Sequence, residues 1–340
     1  MTTIKDIARV AGVSITTVSR ALNGYSDVSE KTRRRIQEVA KELKYSPNAV
    51  ARSLVMNRSK TIGLLVSEIS REGAKDNFTF EVLCGINDRV AELDYDLILF
   101  NTNSAQQKVK SYTQLCRERR VEGVILQGIK TDDPYLEEVI ESDIPCVVVD
   151  VPITGNKVGY VSTDNVDGAK KAVQYLIDLG HQQIAMMNGH KKAFVSQKRK
   201  EGYLATLEEN EIPIKEDWIL NGEFREEQAE KVALYFLRNH SNVTAIFCAS
   251  DLMALGVLKA AKTLNIPVPS QLSVIGYDDI VLAEYATPSL TTVAQDKYQI
   301  GYEAAGLLID LLAEKETNNA RILKSNLKIR QSTDFNNKKA

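Results

Sequence analysis

The sequence predicts a small all-α helix-turn-helix head with a hinge helix, followed by an α/β core of two doubly wound parallel-sheet lobes. Two short helical patterns around a tight turn predict the head. From Thr61 onward, apolar strands alternate with amphipathic helices in two successive sets, which is the pattern of parallel sheets wound with helices. A chain of 340 residues, 44% of them hydrophobic, also exceeds one typical core and should divide into domains.

The head begins with two short helices. Thr3 and Asp6 have the spacing of a capping box, Gly12 ends the first helix, and Ser14 caps the second. The inward positions of both helices are apolar: Ile4, Ile7, Ala8, Ala11, Val18, Ala21 and Leu22. The outward positions on the second helix are where a recognition helix meets base edges: Ile15, Thr16, Ser19 and Arg20.

Charge is divided unevenly along the chain. Residues 1–60 contain 12 basic and 5 acidic residues, net +7, whereas the rest contains 31 basic and 40 acidic residues, net −9. A basic head on an acidic body is expected if only the head meets phosphate. The alternative is a solvated pair of charged helices, but the helix-turn-helix spacing favours DNA binding.

A third helix follows the recognition helix, with Ile36, Val39, Ala40 and Leu43 at helical spacing. A short fourth helix is predicted to begin at Pro47, because proline suits a first helical position, and to end near Met56. So short a helix is marginal alone in water, and we expect it to fold only against a partner helix or DNA.

The core should contain two consecutive α/β sets. Strands of the first set are predicted at 62–66, 97–100, 123–126 and 146–149, with helices between them. Strands of the second set are predicted at 184–187, 245–248 and 273–275, with helices around 169–179, 202–208, 226–237 and 252–264. Tandem sheets of this kind imply two lobes with a cleft, because α/β sheets bind ligands at the carboxyl ends of their strands.

Almost end to end, the sequence resembles the LacI/GalR family of bacterial transcription regulators. The motifs that carry the resemblance are residues 3–8, 13–14, 17–20, 22–23, 45–54 and 61–63. The resemblance implies that two hinge helices of a homodimer pair in the minor groove, with Leu54 of each wedged into the central base step. It also implies that Ile15, Thr16 and Arg20 read the major groove, with Arg20 suited to guanine O6 and N7. The DNA-binding residues expected in this way are Thr3, Ser14, Ile15, Thr16, Thr17, Ser19, Arg20, Asn23, Tyr25, Asn48, Ala51 and Leu54.

By the same resemblance, the two lobes form a periplasmic-binding-protein-like core. Chain crossings near Ser162, Thr292 and Arg321 would make each lobe discontinuous. The expected organisation is a DNA-binding domain at 1–46, a hinge helix and linker at 47–60, an amino-terminal effector lobe at 61–162 plus 293–320, a carboxy-terminal effector lobe at 163–292 plus 321–335, and a tail at 336–340.

Candidate effector-binding residues stand at strand ends that would face the cleft. Asp150, Asp251 and Asp278 each follow an apolar strand, although Asp251 also opens a helix, so that helix capping is the favoured alternative for it. Asp150 and Asp278 match family positions that accept hydrogen bonds from a ligand, and Arg199 matches the family's ligand-holding arginine. Phe224 matches an aromatic residue that stacks on the ligand, with core packing as an equal alternative.

Two segments depart from the family pattern. A longer loop precedes Phe78, which is a further effector-binding candidate on a rim shared with Asp76 and Phe80. Ala193 and Val195 stand where several relatives place polar ligand contacts. The combination of aspartate, arginine and aromatic residues favours a sugar over a purine, because it can grip several hydroxyl groups.

Other classes of protein have little support in the sequence. It lacks a dinucleotide-binding glycine motif after the first strand, a Walker A loop, and the common metalloprotease and hydrolase motifs, so no enzymatic activity, cofactor or metal site is expected. The four cysteines lack metal-binding spacing and are expected to be free buried thiols. No apolar run approaches about 18 residues and the amino terminus is polar, so we expect a cytoplasmic protein without a membrane segment.

The sequence therefore predicts a homodimeric repressor that binds a pseudo-palindromic double-stranded DNA operator and responds to a small-molecule effector, a sugar. Its ligand would shift the angle between the lobes and so the spacing of the hinge helices. The alternative is a global catabolite regulator controlled by a phosphorylated protein that binds the amino-terminal lobe.

Overall fold

The computed structural model describes residues 2–46, 58–67, 75–102, 110–133, 135–153, 155–315 and 318–336. The chain divides into two compact units, residues 1–60 and residues 61–340. The predicted hinge helix, with Asn48, Ala51 and Leu54, lies outside the described residues.

The first unit is the predicted helix-turn-helix head. It consists of α1 (Ile4–Ala11), α2 (Ile15–Leu22) and α3 (Glu30–Glu42). The backbone N–H of Thr3 donates to the Asp6 carboxylate at 3.0 Å, and the Ser14 hydroxyl accepts from the Thr17 N–H at 3.0 Å, so both predicted caps form. The head buries one small apolar core: Ile7, Ala8, Ala11, Val18, Ala21, Val28, Ile36, Val39 and Ala40.

The second unit alternates strands and helices along its whole length. Its first elements are β1 (Thr61–Ser67), α4 (Phe78–Glu92), β2 (Asp96–Thr102), α5 (Tyr112–Arg119), β3 (Gly123–Gln127), α6 (Leu136–Glu141), β4 (Cys146–Val149) and β5 (Val158–Thr163). Next come α7 (Asn165–Asp178), β6 (Ile184–Asn188), α8 (Phe194–Glu209), β7 (Ile219–Asn221), α9 (Glu226–Asn239), β8 (Ala245–Cys248), α10 (Asp251–Thr263) and β9 (Ser273–Asp278). The last elements are α11 (Val281–Tyr285), β10 (Thr291–Ala294), α12 (Lys297–Leu312), β11 (Ala320–Leu323) and β12 (Asn326–Lys328).

These strands form two sheets, which confirms the two predicted doubly wound lobes. The first sheet has the order β11-β5-β4-β3-β1-β2, and its neighbouring strands are parallel. The second has the order β12-β10-β9-β8-β6-β7, parallel except for β12, which pairs antiparallel with β10. Helices must cover both faces of such sheets, since the central strands are buried throughout.

Within the described residues the chain passes between the lobes after β5, after β10 and after β11. Arg321, where the sequence analysis placed the third crossing, lies inside β11 and pairs with Val161 of the first sheet. That boundary is therefore corrected: the chain leaves the first lobe only after Leu323, because β11 completes the edge of the first sheet.

Helix α12 returns to the first lobe and packs tightly on α4. A Cβ atom built on Gly301 would lie 2.0 Å from the carbonyl oxygen of Val82, and one built on Gly85 would lie 2.0 Å from that of Tyr298. The two helices thus meet backbone to backbone, which a side chain at either glycine would prevent.

The cysteines are free thiols, as predicted. Cys116, Cys146 and Cys248 are buried, whereas the prediction of burial is wrong for Cys84, which is half-buried. Burial raises the pKa of the Cys116 thiol to about 12, so this group stays protonated and unreactive. Among the described helices, none combines the length and the apolar character that a membrane span requires.

Candidate DNA-reading surface and ligand cleft

The outer side of α2 is the surface that the sequence predicts to read DNA. Val18 and Ala21 point into the head core, whereas Ile15 keeps 42% of its surface exposed. The structure describes nine of the predicted DNA-binding residues. Six are exposed, namely Thr3, Ser14, Ile15, Thr16, Arg20 and Tyr25, and three are half-buried, namely Thr17, Ser19 and Asn23.

Arg20 is held by two neighbours that lie outside its own helix. Its Nε lies 2.8 Å from the Oδ2 of Asp27, and its guanidinium carbon lies 5.1 Å from the centre of the Tyr25 ring. Asp27 is absent from the predicted set because nothing in the spacing of the sequence links it to the recognition helix.

A cleft of about 210 Å³ opens between the two lobes. The first lobe contributes Val66, Ser67, Phe78, Thr79, Gln127, Gly128, Ile129, Lys130, Val149, Asp150 and Val151 to its walls, and the second contributes His190, Ala193, Phe194, Val195 and Phe224. Three of the predicted effector-binding residues therefore line one space: Phe78, Asp150 and Phe224.

Phe224 reaches the cleft because Gly189 gives it room. A Cβ atom on Gly189 would lie 2.1 Å from two carbon atoms of the Phe224 ring, so the ring lies directly over this glycine. The ring of His190 meets that of Phe224 edge to face, with centres 5.6 Å apart. The aromatic wall is thus fixed by the β6 end of the second lobe.

Asp150 follows β4 in a left-handed backbone conformation, with φ of 65°. Its Oδ1 accepts a hydrogen bond of 2.7 Å from the Ser162 hydroxyl at the end of β5. Burial raises the pKa of this carboxyl, although the Ser162 hydrogen bond and the charge of Arg199 oppose the shift.

Arg199 and Asp278 lie behind the cleft rather than on its walls, and both are buried. The Nε of Arg199 donates to Asn165 at 2.8 Å and its Nη1 donates to the backbone carbonyl of Ala249. The same Nη1 lies 3.5 Å from the Oδ1 of Asp278, and the guanidinium carbon lies 3.7 Å from the centre of the Tyr277 ring. Arg199 is therefore fully surrounded by protein groups.

Asp278 ends β9 at the joint between the lobes. Its Oδ1 accepts a hydrogen bond of 2.7 Å from Gln295, and its backbone carbonyl accepts one of 2.8 Å from the ammonium of Lys297. Burial raises the pKa of Asp278 to about 6, against the opposing charges of Arg199 and Lys297 and the Gln295 hydrogen bond. Burial and the negative charge of Asp278 likewise raise the pKa of Asp76 to about 7.

The prediction that Asp251 binds the effector is corrected by its contacts. This residue is fully buried; its Oδ2 accepts from the Ile280 N–H at 2.9 Å and its Oδ1 from the Thr292 hydroxyl at 2.6 Å. The helix cap is Ser250, whose hydroxyl accepts from the Met253 N–H. Asp251 thus joins α10 to the chain around β9 and β10, because both of its oxygens are engaged within the second lobe.

Sequence reasoning missed two buried glutamines, of which Gln127 lines the cleft and Gln295 lies behind it beside Asp278. Gln127 lines the cleft at the end of β3, and Gln295 lies at the crossing after β10, each less than a tenth exposed. The amide nitrogen of each donates within the protein, whereas the Oε1 of each lacks a partner among the described residues. A glutamine at a strand end carries no distinctive sequence signal.

Polar contacts beside the cleft also join the lobes, at a place that we call the mouth of the cleft. The N–H and the hydroxyl of Thr131 both lie 3.1 Å from the backbone carbonyl of Lys192, whose ammonium pairs with Asp132. Lys75 pairs with Glu226 at 2.7 Å. The lobes are therefore connected at the mouth of the cleft as well as at the joint.

Comparison with known proteins agrees with this arrangement. Residues 3–48 match the model of bacterial regulatory proteins of the lacI family, and residues 173–333 match a periplasmic binding protein-like domain. The chain is 38% identical to the HTH-type transcriptional repressor PurR of Vibrio parahaemolyticus serotype O3:K6 (strain RIMD 2210633) over 318 residues, 93% of each protein.

Solved structures with the same architecture include a complex of the transcriptional regulator CelR with cellobiose, which has a TM-score of 0.75 and 30% identity over 98% of this chain and 100% of that one. The Lac repressor dimer bound to operator and the anti-inducer ONPF has a TM-score of 0.85 and 28% identity over 98% of this chain and 99% of that one. The chain accordingly belongs to the LacI family of bacterial regulatory proteins and is a DNA-binding transcriptional repressor.

Proposed function

We propose that this repressor acts in the cytoplasm as a homodimer on a pseudo-palindromic operator and controls carbohydrate-utilisation genes through a sugar bound between its lobes. The chemistry of the cleft carries this proposal. Asp150 faces a space whose walls include Phe78 from one lobe and Phe224 from the other. A carboxylate accepts hydrogen bonds from hydroxyl groups, and aromatic faces pack against the apolar face of a sugar ring.

The Oε1 of Gln127, which lines the cleft and lacks a partner among the described residues, supports the same ligand class. A buried acceptor without a partner costs free energy, and a ligand hydroxyl that donates to it recovers that cost. Arg199 then acts as a positioning residue, because it already contacts Asp278 and its positive charge interacts with the carboxyl of Asp150. The relatives fit this proposal, since the CelR structure holds cellobiose.

For the head, we propose that Ile15, Thr16 and Arg20 contact base edges in the major groove. Their exposure on one side of α2 supports this role. The other described residues of the predicted set, Thr3, Ser14, Thr17, Ser19, Asn23 and Tyr25, would position the helix against the DNA backbone. The proposed minor-groove contacts of Asn48, Ala51 and Leu54 lie outside the described residues and stay predictions.

An apolar patch on α11 supports the homodimer. Val281, Leu282 and Tyr285 lie on this short helix with 57%, 40% and 76% of their surfaces exposed. Adjacent exposed apolar side chains of this kind mark interaction surfaces, and the Lac repressor of similar fold is described as a dimer. Sedimentation should show a dimer for the native chain and a shift toward monomer for Tyr285→Asp.

Effector control follows from the two-lobed walls of the cleft. A ligand that touches both Phe78 and Phe224 binds more tightly at one angle between the lobes than at another. It therefore shifts the population of protein molecules toward that angle. Because binding linkage is reciprocal, the sugar and the operator must change each other's affinity by the same factor.

Calorimetric titration of the full-length protein with a panel of sugars and purine bases tests the proposal. We expect one sugar to bind and Asp150→Asn to weaken it about tenfold or more, because a ligand hydroxyl loses its charged acceptor. Asp178→Asn, an exposed carboxylate on α7, is the matched control and should bind normally. Tighter binding of a purine, or unchanged affinity in Asp150→Asn, contradicts the proposal.

The alternative, a catabolite regulator controlled by a phosphorylated protein, predicts a different result in the same binding measurements. If no small molecule binds and a phosphorylated protein partner changes operator affinity, the chain is a catabolite regulator instead. Operator sites for both tests come from selection on random DNA, where a pseudo-palindrome is the expected product.

A further inference from the structure

The segment between α2 and α3 is held rigidly from the third helix. The Nη2 of Arg33 lies 2.7 Å from the backbone carbonyl of Tyr25 and 3.5 Å from that of Val28. The side chain of Val28 is buried in the head core, with 8% of its surface exposed. Asp27 lies between these two anchored residues, so its backbone position is fixed relative to α2.

The fixed carboxylate of Asp27 meets the last turn of the recognition helix. Its Oδ2 lies 2.8 Å from the Nε of Arg20, and the two side chains are 50% and 46% exposed. An exposed ion pair of this kind contributes little to stability, because water screens it and two side chains lose freedom. We therefore expect the pair to affect the orientation of the Arg20 side chain rather than the stability of the fold.

The pairing with Asp27 decides which nitrogen donors of Arg20 stay available to bind DNA. With Nε 2.8 Å from the Asp27 carboxylate and the guanidinium beside the Tyr25 ring, the two terminal nitrogens are left to meet a pair of acceptors. Guanine presents such a pair, O6 and N7, on its major-groove edge. The contacts thus hold Arg20 in advance in an orientation that suits guanine.

We propose that Asp27 is a specificity-determining positioning residue of this repressor. It orients Arg20 for one guanine, and its negative charge disfavours binding where no guanine engages the arginine. The inference rests on the proposed major-groove role of Arg20. The charge acts against every DNA phosphate, so Asp27 lowers nonspecific binding while it sharpens binding to the operator.

The test compares affinities of full-length variants for the selected operator, for the operator with its guanine replaced, and for random DNA. Asp27→Ala should bind the operator a few-fold more weakly yet bind random DNA as tightly as the native protein or more tightly. Replacing the guanine should then cost Asp27→Ala several-fold less than it costs the native protein. Asp27→Asn should be intermediate, because its amide keeps a polar group beside Arg20 but removes the charge.

Two further variants complete the design. Glu38→Gln removes one exposed carboxylate from α3 and should strengthen binding to all three DNAs alike. Arg20→Ala with Asp27→Ala should bind the operator at least as well as Arg20→Ala alone, because the single variant leaves the carboxylate unpaired near phosphate. Circular dichroism melting checks that each head is folded.

Parallel changes on operator and random DNA in Asp27→Ala would overturn the proposal, as would an unchanged cost of replacing the guanine. If Arg20→Ala keeps its preference for the guanine, the proposed role of Arg20 is wrong as well. If Arg20→Ala loses that preference and Asp27→Ala keeps it, only the positioning role of Asp27 is wrong.

Discussion

Replacing Arg199 by methionine removes the cation at the joint between the two lobes. The substitution deletes hydrogen bonds to Asn165 and Ala249 and the contact with the Tyr277 ring at 3.7 Å. It also leaves the buried carboxyl of Asp278 without its arginine partner. Breaking one side of a buried charge pair costs about 3–5 kcal/mol of the free energy of unfolding. Methionine fills much of the vacated space, so the lost charge accounts for most of this cost.

The size of the loss should depend on pH in a known direction. Burial raises the pKa of Asp278 to about 6 in the native protein while Arg199 opposes the rise. Without Arg199 the folded-state pKa rises further above its unfolded value. A carboxyl with a raised folded pKa holds its proton more tightly when folded, so stability falls as the pH rises toward that pKa. The deficit of Arg199→Met should therefore be largest at pH 8 and smaller at pH 5.5, by about 1.4 kcal/mol per unit of added shift.

Urea unfolding measures this deficit directly, because the single tryptophan, Trp218, is buried in the second lobe and reports its unfolding. Arg238→Met, an exposed arginine on α9, is the control and should change stability by less than about 0.5 kcal/mol. Asp278→Asn combined with Arg199→Met should recover part of the loss, since the unpaired charge is gone. Equal deficits at both pH values, together with additive single variants, would refute the reasoning.

Three further changes have definite expected outcomes. Gly301→Ala puts a Cβ atom 2.0 Å from the Val82 carbonyl, so calorimetric unfolding should show a loss of about 1–3 kcal/mol; no loss would mean that the helices can separate freely. Gly189→Ala displaces the Phe224 ring, so titration should show weaker effector binding at nearly unchanged melting temperature, and normal binding would remove Phe224 from the site. Burial and the charge of Asp278 raise the pKa of Asp76 to about 7, so the native protein loses stability as the pH rises from the ordinary aspartate pKa, about 4, to about 7. Asp76→Asn should therefore gain most stability over the native chain at pH 8, and only roughly half of that gain should appear at pH 5.5 in thermal melts, because the penalty grows by about 1.4 kcal/mol per pH unit between these pKa values.

Most of the strands that sequence reasoning found are apolar runs whose burial is continuous. Residues 245–248 and 146–149 are apolar runs because both faces of a central parallel strand are covered. Five of the described strands were missed. β7, β11 and β12 have three or four residues and are half-exposed, so that no apolar run marks them. β5 and β10 are buried, but glycine, serine and threonine residues interrupt their apolar runs. Their pairing is decided by tertiary contacts, which is also why Arg321 was assigned to a crossing instead of to β11.

For the site, residue type at a strand end was enough to find the cleft but not to assign roles within it. Asp150, Asp251 and Asp278 have the same sequence signature, yet one lines the cleft, one has both oxygens bonded to its own lobe, and one lies at the joint. The difference depends on which backbone N–H and hydroxyl groups the fold brings near each carboxyl. Those partners, such as Thr292 for Asp251, are 41 residues away in the sequence.

The two sides of the cleft differ in how strongly they join the lobes. At the mouth, Lys192 with Asp132 and Lys75 with Glu226 are ion pairs in which at least one partner is about half-exposed, and such pairs contribute only about 0–1 kcal/mol each. At the joint, the buried ammonium of Lys297 on α12 donates to the Asp278 carbonyl across the lobes, and breaking such an interaction costs more. We therefore propose that the joint stays intact while the mouth opens or closes. An effector needs only a modest difference in affinity between the two mouth positions to change their populations, because a tenfold preference corresponds to about 1.4 kcal/mol, the same scale as the contacts at the mouth.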